Sequence, residues 1–195
     1  MKKNRTKLTV LLMLLTGLST HAQLRVPVTN NDLRNNLEKV ISGFPAHFTE
    51  LKGDTLEDNP QTIEFASLLE FESAQKNSFT QYKSARPVYS WQAELLTTED
   101  FEEAAKKYKW LYNQLKVMTV SLDGGYSFTL NGHYDQPEES RKFSASVFKL
   151  TPNASNMPRL KIEASLQFEF PEWKVSLLVY EKEKEDKERG EVIEE

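Results

Sequence analysis

Cysteine is absent from this chain of 195 residues. That excludes disulfides, thiol catalysis, cysteine-ligated zinc and lipid attachment at a cysteine. Stability must therefore come from packing, which a chain of this length supports. Histidine is scarce, with three residues at positions 21, 47 and 133. There is no His-Glu-x-x-His, no His-x-His and no Gly-x-Ser-x-Gly, so zinc-peptidase and nucleophile-elbow chemistry have no signature here. Glycine is also sparse, and Gly124-Gly125 lacks the lysine and following helix of a phosphate-binding loop, which makes it a hairpin turn. Basic residues do not predominate: 25 Lys and Arg against 29 Asp and Glu give a formal charge of −4. That balance argues against nucleic-acid partners and against an anionic membrane surface, both of which need clustered Lys and Arg.

Only one long apolar run exists, Leu8 to Leu18, and its flanks give it meaning. Lys2, Lys3, Arg5 and Lys7 precede it, and Thr20-His21-Ala22 follows with a small residue at the end. This is the three-part pattern of a secretory signal. Eleven residues at ~1.5 Å each reach about 17 Å, too short for a ~30 Å hydrocarbon core, so a retained anchor is the weaker reading. We expect residues 1–22 to be a cleaved signal, 23–29 an extended leader, 30–181 one α+β domain and 182–195 a charged tail. Loss of four basic residues would make the mature chain more acidic still. The Ala22-Gln23 junction and the short lysine-rich start resemble those of exported proteins of Gram-negative Bacteroidetes. The resemblance covers the signal and general composition and implies a periplasmic or extracellular address, but no activity. Asn153-Ala154-Ser155 has the form of a glycosylation acceptor, which matters only in a eukaryotic host.

The mature chain mixes two periodicities. Leu33, Leu37, Val40, Ile41 and Phe44 recur at helical spacing behind the capping residues Asn30 and Asn31, which predicts a helix over 31–42 closed by Gly43 and Pro45. Thr97-Thr98-Glu99-Asp100 starts a second helix, expected over 99–115, with Phe101, Ala104, Ala105, Tyr108, Leu111, Tyr112 and Leu115 inward. Elsewhere the period is two. Strands are expected at 47–52, 62–71, 79–82, 88–96, 117–122, 126–134, 143–150, 160–170 and 173–179. The best is 160–170, where Leu160, Ile162, Ala164, Leu166, Phe168 and Phe170 share one face. The fold class expected is α+β, with two main helices packed on one face of an antiparallel sheet. The order of elements repeats, each half running from a helix to a tryptophan strand (Trp91, Trp173), so two pseudo-repeated helix-plus-sheet halves are one arrangement open to this chain.

Residues that might carry chemistry are few. Glu99, Asp100, Glu102 and Glu103 are accounted for by helix capping and the helix dipole. His133 and Asp135 sit two apart, but an exposed turn histidine explains the pair better than a ligand set. No catalytic residue, cofactor or metal site is expected. Most aromatic residues fall on apolar stripes; Trp110 is the exception, at the stripe's edge. Trp110, Tyr126, Tyr134 and His133 are the expected ligand or partner surface. The function expected is an exported, non-enzymatic binding or protein-interaction module, with a homodimer through a sheet edge as one arrangement. One alternative is a carrier of small apolar ligands, its cavity lined by Phe168, Phe170, Leu166 and Trp91. The other is a cell-surface hydrolase. The signal reading is checked by sequencing the N-terminus of protein purified from its own host: the chain should begin Gln23-Leu24, and a cytoplasmic chain still carrying Met1 would refute it.

Overall fold

The computed structural model describes residues 30–122 and 125–182. The expected signal and leader, all of the expected tail beyond Lys182, and Asp123-Gly124 lie outside those residues. α1 (Asn31–Gly43) opens the domain, and Asn30 caps it by accepting from the Asp32 and Leu33 amides. Two short 3-10 turns follow, Phe44–Ala46 and Thr49–Leu51, where a strand was expected at 47–52. Between them His47 and Phe48 both take left-handed backbone, with φ of 52° and 58°. This reverses the chain sharply and drives the Phe48 ring into the core against Phe79, with centroids 5.1 Å apart. The chain is thus turned at His47 and Phe48, while Gly43 stays helical.

Four strands come next: β1 (Lys52–Asp58), β2 (Thr62–Ser67), β3 (Lys76–Tyr82) and β4 (Val88–Thr98). Asp100 caps α2 (Phe101–Lys116), two residues later than the hydroxyl start suggested. Five more strands complete the chain: β5 (Thr119–Leu122), β6 (Tyr126–Gly132), β7 (Phe143–Thr151), β8 (Leu160–Glu169) and β9 (Glu172–Glu181). All nine form one antiparallel sheet in the order β1-β2-β3-β4-β9-β8-β7-β6-β5. Each half begins with a helix, enters the sheet at an outer edge and works inward; the second half has one extra outer strand. β4 and β9 meet at the centre with Trp91 opposite Val179 and Trp173 opposite Thr98.

Alternation decides which side chains are buried. Leu160, Ile162, Ala164 and Leu166 on β8, with Trp173, Val175, Leu177 and Val179 on β9, all face the helices and are buried. Phe170 departs from the expected inward row: it sits on the β8–β9 turn and is 90% exposed. A bulge between Glu94 and Leu96 turns both Leu95 and Leu96 toward the core. Trp91, Tyr108, Phe48, Phe79 and Phe148 are the largest fully buried side chains, each contributing on the order of 1.5–3 kcal/mol of transfer free energy.

Polar contacts fix α1 on this core. Asp32 accepts from the Ser73 amide (2.9 Å) and hydroxyl (2.6 Å). Asn36 donates to the Glu70 carbonyl at 3.1 Å, and Glu38 accepts from the Ser121 amide on β5 at 2.8 Å. The helix therefore joins the β2–β3 connection to the opposite outer strand. Close packing also explains Gly132 at the end of β6. A Cβ there would lie 2.6 Å from the Val147 carbonyl oxygen and 2.7 Å from the Phe148 ring. Gly132→Ala should destabilise the domain by about 1–3 kcal/mol, read as a lower urea midpoint; an unchanged midpoint would show that β6 and β7 can part at no cost.

Candidate binding trough on the open sheet face

Both helices lie on one side of the sheet, which leaves the polar positions of each strand on the other. Across the central strands these positions fall into register. Ser90 is opposite Tyr180, and Tyr180 is opposite Lys161; Gln92 is opposite Leu178, and Leu178 is opposite Glu163. One step further along, Glu94, Ser176 and Ser165 align in the same way. Ser78, Ser90, Ser165 and Ser176 are buried although no helix covers them. The cause is size: each small hydroxyl lies beneath longer neighbours, and Gln92 donates to the Ser176 hydroxyl at 3.2 Å. A serine floor between taller walls is a trough.

The trough holds an open recess of about 440 Å³ over β3, β4, β9 and β8. Tyr82, Val88, Leu178 and Tyr180 supply apolar wall, while Ser90, Gln92 and Glu163 supply polar groups. Tyr82 is nearly half exposed. The Tyr180 hydroxyl donates to Glu163 Oε2 at 2.9 Å. Burial pushes the Glu163 carboxyl above its ordinary range, and the tyrosine's hydrogen bond only partly offsets this. Burial and the neighbouring carboxylate together raise the Tyr180 phenol. The pair can thus offer a ligand a partly desolvated carboxylate and an aromatic edge side by side.

The expected surface residues lie elsewhere. Trp110 is half-buried against the core, with the Lys107 ammonium 4.4 Å from its ring centroid. Tyr134 stacks on Tyr108 at 5.6 Å and meets the Tyr112 ring at a tilt, 4.9 Å away. His133 is exposed just past β6. Tyr126 is two-thirds exposed and lines a different recess, of about 590 Å³, with Ile41, Phe128 and Asn156. Tyr134 has a structural setting: Tyr108 shares a 2.7 Å hydrogen bond with Ser146, whose oxygen also accepts from the Asp135 amide, and Arg141 pairs with Asp135 at 2.9 Å. Burial pushes the Tyr108 phenol up to about 12. This network holds the β6–β7 connection against α2.

His47 stacks on Tyr89 at 4.7 Å and borders a recess of about 250 Å³. Beside it Glu181 pairs with Arg86 at 3.3 Å and with Arg159. Among the described residues no three His, Asp or Glu side chains converge to hold a metal ion, and no helix is long and apolar enough to cross a membrane. The chain matches no protein-family model, no curated protein and no solved structure.

Tyr180, Glu163, Tyr82 and Val88 were not foreseen as site residues, because alternation marks them only as outward. The signal that could have found them is the run of serines at Ser90, Ser165 and Ser176, which is too small to fill an open face. A raised Glu163 makes a pH prediction with a definite sign. Its stabilising contribution is present below the ordinary carboxyl pKa of about 4.3 and is lost as pH rises through the higher folded value. Glu163→Gln, whose amide oxygen still accepts from Tyr180, should therefore be at least as stable as the parent at pH 7. That advantage should shrink on acidification toward about pH 4, as followed by thermal unfolding of both proteins. An advantage that grows on acidification would contradict the buried carboxyl.

Proposed function

We propose that this protein is an exported, non-catalytic binding module that takes its ligand or partner on the open face of the central strands. The observation that carries this reading is the uncovered trough itself, with aromatic and apolar walls over a polar floor at the join of the two halves. Binding sites commonly combine apolar lining with a few placed polar groups, and the recess falls in the usual range of ~300–1,000 Å³. The N-terminal sequence supports export. The carrier reading draws less support: Trp91 and Leu166 are packed in the core, and Phe170 points to solvent.

A second reading keeps one observation, the convergence of Glu163 and Tyr180 with both groups' pKa values raised. On that reading the protein is a surface hydrolase with Glu163 as the proton donor. Native mass spectrometry of protein purified from its own host separates the cases. The parent should carry a retained mass that Tyr82→Ala/Val88→Asp loses while keeping its melting temperature. Retention of the same mass by that variant would refute the trough as the binding surface. Turnover of cell-surface glycans abolished by Glu163→Gln would favour the hydrolase.

A further inference from the structure

At one end of the open face, beyond the recess over β3, β4, β9 and β8, positive charge accumulates without an ion pair among the described residues. β7 and β8 pair with Val147 opposite Glu163 and Phe148 opposite Ile162. The same register, carried one residue further, sets Lys149 beside Lys161 on the open face. Like charges opposite one another on antiparallel strands destabilise the pair. Burial first, then the charges of Lys149 and Lys182, hold the Lys161 ammonium below its ordinary pKa. In a chain with an excess of acids, neither Lys149 nor Lys161 forms an ion pair among the described residues. The nearby Arg159 is already held by Glu181.

Beside these lysines the β7–β8 connection leaves a recess of about 260 Å³. Leu150, Ala154, Met157 and Leu160 give it buried apolar lining, while Lys149, Lys161, Asn153 and Ser155 supply its polar groups. The Asn153 amide and Ser155 hydroxyl are exposed and donate to nothing within the described residues. Two ammonium groups and two donors, none of them partnered among the described residues, thus border one small hollow.

We propose that this recess is an oxyanion site that takes a phosphoryl or sulfuryl group between Lys149 and Lys161, with Asn153 and Ser155 donating to it. The bound charge turns the repulsion between the lysines into two attractions. Ammonium groups act as point charges and suit a tetrahedral anion, whereas a planar carboxylate is better matched by the fork of an arginine. The hollow is smaller than the ~300–1,000 Å³ of a typical small-molecule pocket, so it reads a charged group and not a whole ligand. Lys161 lies opposite Tyr180 of the trough, but the two recesses share no lining residue, and the anion site does not depend on what the trough binds.

Inorganic phosphate and inorganic sulfate, titrated at constant ionic strength against a chloride control, test the site in the full chain. The readout is the NMR signal of lysines labelled by reductive ¹³C-methylation, which keeps their charge. Signals of Lys149 and Lys161 should shift saturably, and the pKa of Lys161 should rise at saturation. Lys149→Gln and Lys161→Gln should each weaken phosphate binding about tenfold or more, as expected for loss of a charge-assisted hydrogen bond. In phosphate-free buffer the same variants should melt no lower than the parent, because a repulsion has been removed, but they should lose the phosphate-induced rise in melting temperature. Glycerol phosphate binding more tightly than the free ion marks the group as part of a larger molecule; the reverse order marks the ion itself as the ligand. Shifts equal to those in chloride, or undiminished phosphate binding by Lys149→Gln/Lys161→Gln, would overturn the proposal.

Discussion

Separation of apolar from polar side chains along β8 and β9 is the constraint on which the rest of this molecule depends. Because every second residue is apolar, one face of the sheet can be buried and the other cannot. The helices have to share that one face, since their own stripes have no other apolar surface to meet. α2 crosses the central strands, and α1 lies nearer β5. The other face is left uncovered by the same arithmetic, so the trough is a product of the patterning that drives folding.

The polar contacts add position to this burial. Asn36, Asp32 and Glu38 on α1 reach the β2–β3 connection and the β5 edge. Tyr108, Ser146, Asp135 and Arg141 fix the β6–β7 connection. Each such bond adds about 0.5–1.5 kcal/mol net, small beside the buried aromatic cluster. What they decide is register: which loop lies over which strand end. The strand ends and connections thus positioned border the recesses around the domain.

Much of the architecture was legible in the chain. The inward stripes of α1 and α2, both tryptophan strands and the β8 alternation follow from spacing alone, and the two halves enter the sheet in the same sense. The departures have local causes. Residues 47–52 read as a strand because His47 and Phe48 gave no sign of left-handed backbone, a conformation ordinarily marked by glycine. Phe170 read as inward because alternation carries no information about where a turn begins. β1 was missed because five of its seven residues are exposed, leaving no buried face to see. The trough was illegible for a different reason. It is built from two hairpins, β3–β4 and β8–β9, that are distant in sequence, and only the β4–β9 pairing brings Tyr82, Tyr180 and Glu163 over one floor.

The strand order has a consequence for how the molecule comes into being. β9, close to the end of the described chain, lies at the middle of the sheet between β4 and β8. Until it is made, the first meander has no neighbour on its inner side and the second has no innermost strand. Completion of the sheet therefore waits for β9, which must close a contact with residues some eighty positions earlier. Long-range closure of this kind is slow relative to helix formation. A nascent chain would spend that interval with the inner edges of β4 and β8 unpaired, open backbone donors and acceptors that only β9 satisfies.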